Sequence, residues 1–300
     1  MNIPFFPYAD LYKQDKENYL RIFDEVCSRG AFILQKDLEE FEENIRNFIG
    51  VKHAFGVANG TDALILGLKS LGIGSGDQVI LPSHTYIASP ASVHLVGAEP
   101  ILTECGSDGM MDCNDIEHRI GERTVAIMPV HINGRTCNMD KIQAIAKKYE
   151  LMIVEDAAQG LGSRFKGKSA GTFGSFGTIS FYPAKLLGCF GDGGLIMTND
   201  DEIADTLYLL RDHGRDQNGD VTKWGYNSRL DNLQAAILNH KLSHYQEDIE
   251  HRRTIANIYN EGLKDLSCLK LPLPPSDGDN FDVFQNYELH AENRDNLKDY

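Results

Sequence analysis

Residues 139–159, MDKIQAIAKKYELMIVEDAAQ, carry two hydrophobic periods back to back. Ile142, Ile145 and Ala146 recur at helical spacing and share one face. Residues 152–155 then form a short apolar run that ends on the acidic residues Glu155 and Asp156. A helix feeding a short apolar strand is one step of a strand-helix alternation, and the same alternation runs from residue 52 to about 200. The expected strands are 53–57, 78–81, 100–104, 125–130, 152–155, 178–182 and 194–198. A helix over 61–71 closes at Gly72. The fold class is therefore α/β, a mostly parallel seven-stranded sheet flanked by helices.

Upstream, Phe41, Ile45, Phe48 and Ile49 make an apolar stripe stopped by Gly50, which reads as a docking helix. Downstream, Leu238, Leu242, Tyr245 and Ile249 keep helical spacing inside the polar stretch 230–266, which reads as one connecting helix leaving the sheet domain. Residues 271–279, with three prolines and Ser276-Asp277-Gly278-Asp279, read as a loop, and a new strand is expected over 283–290. That gives a large domain over 1–240 and, over 241–300, the connecting helix and the start of a smaller, incomplete α/β domain. A strand beginning at Val283 would then lack partners.

The whole chain has 300 residues, 29 Lys+Arg against 44 Asp+Glu, and a net charge of −15. Such an acidic chain is repelled by phosphate backbones, and no basic stripe reverses the balance locally, so a nucleic-acid partner is excluded. The most apolar uncharged stretch, 79–98, contains Pro82, Pro90, His84 and His94 and is not a membrane span. The N-terminus lacks a basic flank followed by an apolar core, so no secretory signal is read there and the expected location is the cytoplasm. The six cysteines, at 27, 105, 113, 137, 189 and 268, contain no Cys-x-x-Cys pair and no zinc spacing. They read as reduced thiols, with no metal site.

Three stretches carry chemistry. In Asn59-Gly60-Thr61-Asp62-Ala63-Leu64, a glycine between strand and helix lets the backbone approach an anion at a helix N-terminus. The alternative is that Thr61 or Asp62 only caps its helix. Asp156, at a strand's carboxyl end, faces the crevice where ligands of open α/β sheets bind and could hold a cationic nitrogen, or else is a solvated strand end or a helix cap. Glu155 should face the other way. In Ser180-Phe181-Tyr182-Pro183-Ala184-Lys185, followed by Gly188 and Gly191-Asp192-Gly193-Gly194, a lysine sits in a tight turn after a buried strand. Partial burial would free its amine for Schiff-base chemistry; the alternative is a surface lysine in a glycine-rich loop. Together the three fit pyridoxal phosphate, which needs a phosphate cradle, a carboxylate against its ring nitrogen and a Schiff-base lysine.

Five ordered motifs carry a resemblance from about residue 20 onward: Ala58-Asn59-Gly60-Thr61-Asp62-Ala63-Leu64, Thr85-Tyr86-Ile87-Ala88-Ser89, Glu155-Asp156-Ala157-Ala158-Gln159, Ser180-Phe181-Tyr182-Pro183-Ala184-Lys185 and Gly225-Tyr226-Asn227-Ser228-Arg229-Leu230-Asp231. The sequence resembles the DegT/DnrJ/EryC1/StrS sugar aminotransferases, pyridoxal-phosphate enzymes of the aspartate-aminotransferase-like type I fold. The resemblance implies that Lys185 is the Schiff-base lysine and that Asp156 pairs with the protonated ring nitrogen. It implies that Tyr86 stacks on the ring and that Gln159 hydrogen-bonds near the phenolic oxygen. Gly60, Thr61, Asp62 and Ser180 would then hold the phosphate, with Asn227 reaching it from the other subunit of a homodimer. Without its motif, Tyr86 reads as a core aromatic. His131 and Arg229 are candidate substrate contacts. His131 is equally a satisfied histidine at a strand end, and Arg229 a helix-start arginine paired with Asp231. In His131-Ile132-Asn133-Gly134, Asn133 stands where the family commonly has an aromatic residue.

The implied activity moves the amino group of L-glutamate to a nucleotide-linked keto-sugar, in amino-sugar biosynthesis for a surface polysaccharide or a secondary metabolite. The alternatives are a sugar dehydratase of the same family, which typically carries histidine where Lys185 stands, and a non-catalytic regulator that binds pyridoxal phosphate. Family members normally continue past the point where this chain ends, so a truncated small domain is expected. Which nucleotide sugar is used, and which carbon is aminated, is not written in these motifs.

Overall fold

Seven strands form one sheet in a computed structural model that describes residues 4–299. They are β1 (His53–Val57), β2 (Gln78–Pro82), β3 (Glu99–Thr103), β4 (Thr124–Ile127), β5 (Met152–Asp156), β6 (Phe176–Ser180) and β7 (Gly194–Thr198). Their spatial order is β1-β7-β6-β5-β4-β2-β3. All neighbours run parallel except β7, which is antiparallel to both β1 and β6. Parallel strands need crossover connections, and the helices that supply them cover both faces, so β2, β5, β6 and β7 are almost continuously buried.

On one face, Leu64, Leu68, Val93 and Leu207 pack from helices Gly60–Ser70, Ala88–Leu95 and Asp201–Arg211 onto Phe176 and Ile196. The other face is covered by helices Lys36–Ile49, Asn232–Leu242 and Tyr245–Leu263, whose Phe41, Leu238 and Ile249 meet Ile179, Leu195 and Met197. Nearby, Ile116 and Ile142 close a third cluster on Ile80, Ile127 and Ile153. The docking helix expected from the Phe41 stripe is thus present, with Phe41 and Ile45 fully buried.

The strand expected at 125–130 stops at Ile127, leaving only an isolated bridge at Val130, and three further expectations need correction. The strand expected at 178–182 ends at Ser180, where pairing with Gly194 stops, because Tyr182 turns its N–H back to the Ser180 hydroxyl and Pro183 has none to offer. The single connecting helix expected over 230–266 is two helices interrupted at Ser243 and His244. Its apolar positions keep helical spacing across the break, which hides the interruption from any periodicity argument. Tyr245, just beyond it, is buried and donates its hydroxyl to the Leu161 carbonyl at 2.9 Å. Finally, no strand runs over 283–290. Asn280–Phe281 pairs with Arg164–Phe165, and His290–Ala291 pairs with Leu269–Lys270. Between them the chain lies irregularly over the turn at Gly134, with Val283 and Phe284 buried and the Val283 N–H donated to the Gly134 carbonyl at 2.9 Å.

One core cluster contains Leu38, Phe41, Leu238, Tyr245, Ile249 and Val283, so residues on both sides of position 240 share it. Among the described residues no helix is long and apolar enough to cross a membrane.

Candidate active site

The sheet register brings the chemistry-bearing residues to one edge. Asp156 closes β5 opposite Thr178, Ser180 closes β6 and Asn59 follows the end of β1, while antiparallel β7 begins at this same edge with Gly194 between Val57 and Ser180. A side chain at Gly194 is impossible without movement, since a Cβ there would stand 2.4 Å from the Asn59 carbonyl carbon. Gly60 is less crowded but still close, since a Cβ there would reach the Ser180 Cβ at 3.0 Å.

Asp156 is 5% exposed, and each of its oxygens has a donor. The Ser89 hydroxyl donates to Oδ2 at 2.6 Å, and the Ala158 N–H donates to Oδ1 at 3.1 Å. Because the one hydrogen of Ser89 points at the carboxylate, the 2.6 Å contact between Ser89 and Thr85 takes its hydrogen from Thr85. Two hydroxyls in series therefore fix the carboxylate, leaving acceptor capacity toward the crevice. Glu155 points the other way, as expected. It is fully buried and accepts the Gly171, Phe173 and Gly174 N–H groups at 2.6 to 2.8 Å.

Lys185 lies in the turn after β6, half-buried, with its own N–H donated to the Tyr182 carbonyl at 2.8 Å. No protein acceptor is recorded for its Nζ among the described residues. Burial holds its ammonium below the usual lysine range, and the facing Asp156 carboxylate pulls the other way. An amine of depressed pKa beside an anchored carboxylate can condense with a carbonyl.

Asn59, rather than Thr61 or Asp62, caps the helix Gly60–Ser70: its Oδ1 accepts the Asp62 N–H at 2.8 Å. That uses the Asp62 amide and leaves the N–H groups of Gly60 and Thr61 with no acceptor among the described residues, at a helix N-terminus next to the Ser180 hydroxyl. Two open amides, two hydroxyls, an anchored buried carboxylate and an unpartnered amine are the donor set that pyridoxal phosphate requires, so the residues present fit that group.

The remaining candidates divide. Tyr86 is 71% exposed, not a core aromatic, and its carbonyl accepts the Ser89 N–H, so it sits one turn from the Asp156 anchor. Gln159 Oε1 accepts the Asn133 N–H at 2.7 Å, which leaves its NH2 group as the free donor. Asn227 is exposed, and no hydrogen bond joins it to Lys185, Asp156 or Gly60 within one protomer. His131 is fully buried, with Nε2 2.9 Å from Glu155 and Nδ1 accepting the Cys137 N–H, so it is the satisfied strand-end histidine and does not face substrate. Arg229 pairs with Asp212 at 2.5 Å, not with Asp231. Sequence reading missed the anchoring role of Ser89 and Thr85, although both lie in a quoted motif, and it missed Gln285, which binds the Lys185 turn. Among the described residues no cluster of His, Cys, Asp or Glu could hold a metal ion.

The model of the DegT/DnrJ/EryC1/StrS aminotransferase family matches residues 13–299. The chain belongs to that family. A dTDP-3-amino-3,4,6-trideoxy-alpha-D-glucose transaminase of Streptomyces venezuelae is 39% identical over 99% of this chain and 78% of its own length. A protein of Geobacillus stearothermophilus named a pleiotropic regulatory protein is 37% identical over 99% of this chain and 80% of its own. The crystal structure of S. venezuelae DesV in complex with a ketimine intermediate superposes with a TM-score of 0.95 at 39% identity, covering 99% of this chain and 80% of that one. The chain is thus an aminotransferase by family and by fold, and the seven-stranded α/β architecture is that of the solved aminotransferases.

Proposed function

We propose that this aminotransferase uses pyridoxal phosphate to move the amino group of L-glutamate onto a nucleotide-linked keto-sugar, in amino-sugar biosynthesis. The observation that carries the reading is Lys185, an amine of depressed pKa without a protein partner, facing an Asp156 whose two oxygens are already anchored. The names of relatives that are transaminases of dTDP- and UDP-linked sugars support the sugar class.

When bound, the cofactor supplies a ring that accepts the electron pair left as the amino acid loses its α-proton, and it carries the amino group between donor and acceptor. In this reading Asp156 holds the proton of the ring nitrogen, and the Thr85–Ser89 pair keeps that carboxylate oriented. The amides of Gly60 and Thr61, with the hydroxyls of Thr61 and Ser180, hold the phosphate. Tyr86 covers one ring face and excludes water, and the free NH2 of Gln159 donates to the phenolic oxygen. Once displaced by the donor, Lys185 Nζ takes the α-proton and returns it, a role its depressed pKa suits. Asn227, exposed in one protomer, reaches the phosphate of a partner, which makes the active unit a homodimer.

The test is a visible absorption spectrum with pyridoxal phosphate, before and after L-glutamate. Conversion of the yellow band to the pyridoxamine form is expected, and Lys185→Ala should abolish turnover. A band that glutamate leaves untouched in the wild type would defeat the glutamate-donor reading and favour a regulator, the role named for the Geobacillus relative.

A further inference from the structure

Gln285 grips the turn that carries Lys185 from both sides. Its residue is 5% exposed; Oε1 accepts the Leu186 N–H at 2.7 Å, and Nε2 donates to the Ala184 carbonyl at 2.9 Å. One amide thereby offers residues 184 and 186 what a neighbouring β-strand would offer, and Lys185 lies between the two bonds. No backbone group among the described residues takes up either position instead. Farther along the turn, Lys241 donates to the Gly188 carbonyl, so the segment is tied again three residues on.

Gln285 is itself well held. Arg252 Nη1 donates to its carbonyl at 3.2 Å, and two residues earlier Val283 is buried and bonded to Gly134. The clamp thus reaches the lysine turn from a segment about a hundred residues away in sequence, between Asn280–Phe281 and His290–Ala291.

We propose that Gln285 is a positioning residue for Lys185: by fixing the backbone at Ala184 and Leu186 it aims the lysine Cα–Cβ bond into the crevice beside Asp156. The inference rests on the assignment of Lys185 to pyridoxal phosphate. It adds that the C-terminal segment sets how readily this amine condenses with the cofactor, separately from how tightly the non-covalent contacts hold it. Phosphate, ring nitrogen and phenolic oxygen are bound by other elements, so the two properties should separate on mutation.

The step to be read is condensation of neutral Nζ with the aldehyde of pyridoxal phosphate. A carbon–nitrogen double bond forms, the carbon–oxygen bond breaks, and the oxygen leaves as water with the two amine hydrogens. Two quantities are measured on folded, monodisperse full-length chain: total pyridoxal phosphate bound at equilibrium, by ultrafiltration, and the fraction fixed to Lys185 by borohydride, by peptide mass. Gln285→Met keeps the volume and removes both hydrogen bonds. It should lower the ratio of condensed to uncondensed bound cofactor about tenfold, the scale of losing one to two ordinary hydrogen bonds at the turn, while the amount bound at saturating pyridoxal phosphate stays within about twofold of wild type. Gln285→Glu keeps the acceptor for Leu186 and loses the donor to Ala184, so its ratio should lie between those of wild type and Gln285→Met. A ratio equal to wild type in both variants, with or without weaker total binding, overturns the inference and leaves the site reading standing. Absence of any Lys185 adduct in the wild type overturns the site reading and the inference with it.

Discussion

Lys185 and Asp156 set opposing electrostatic demands on each other, and the sign of each can be followed with pH. Burial favours the neutral amine, so the reactive fraction of Lys185 at a given pH exceeds that of a free lysine, whose pKa is 10.5. The rate at which pyridoxal phosphate condenses with the cofactor-free chain should therefore level off below pH 10.5. Asp156 opposes this, since its negative charge favours the ammonium. Asp156→Asn should move the midpoint of that pH–rate profile still lower, although it also weakens the hold on the cofactor. A midpoint that rises, or stays where it is, would show that Asp156 does not face the amine. At this scale the sequence was informative wherever a residue acts through its neighbours along the chain: Lys185 follows its own strand, and Asp156 ends one. It was silent where the partner is remote. Nothing near Ser89 announces Asp156, 67 positions away, and Gln285 and Leu186 are 99 apart. His131 shows the limit from the other side, because a strand-end histidine reads alike whether its ring meets substrate or, as here, Glu155 and Cys137.

The element that matters most is the turn from β1 into the helix Gly60–Ser70. Asn59 caps that helix through the Asp62 N–H, and the cap leaves the amides of Gly60 and Thr61 open and aligned. Asn59→Ala should cost about 1 kcal/mol of stability, the usual price of an N-cap. It should also weaken pyridoxal phosphate binding, because the freed Asp62 N–H no longer fixes the first turn. Thermal melts and cofactor titration of one preparation test both halves; an unchanged affinity would mean that the phosphate is held elsewhere. Element positions were legible because the sheet is buried on both faces and its strands are short apolar runs; β1 and β7 lie where periodicity puts them. What periodicity lacked was any signal of termination by side-chain hydrogen bonding. The Ser180 hydroxyl ends β6 two residues early, and the helix break at Ser243 and His244 leaves the apolar spacing intact.

At the scale of the molecule, the division expected at residue 240 meets a core that ignores it, since Tyr245, Ile249 and Val283 pack with Leu38, Phe41 and Leu238. A shared core implies one cooperative unit, and Arg253 shows how the last segment is joined to it. Its guanidinium is buried against the Phe281 ring at 4.0 Å and donates to the Asp282 carbonyl at 3.0 Å and to the Ser276 carbonyl at 3.3 Å. Asp282 is buried too; desolvation pushes its carboxyl above the usual range, while the charges of Arg135 and Arg253 pull it back. An acid whose pKa is raised on folding supports the fold when protonated and costs stability as pH rises through the folded value. Arg253→Ala removes one of the two charges that limit this cost. Arg135 stays paired with the Asp282 carboxylate, so the variant should lose about 2 kcal/mol at neutral pH, the scale of removing a charged donor from buried carbonyls together with the weaker support for Asp282. The loss should shrink as the pH falls and Asp282, its carboxyl raised by burial, takes up its proton. Melts followed by circular dichroism should show one transition throughout, displaced downward in the variant and more so at pH 7.5 than near pH 4. Two separate transitions would mean that the segment after residue 240 unfolds on its own. An equal displacement at both pH values would mean that Arg253 acts by packing alone and that its charge does not reach Asp282.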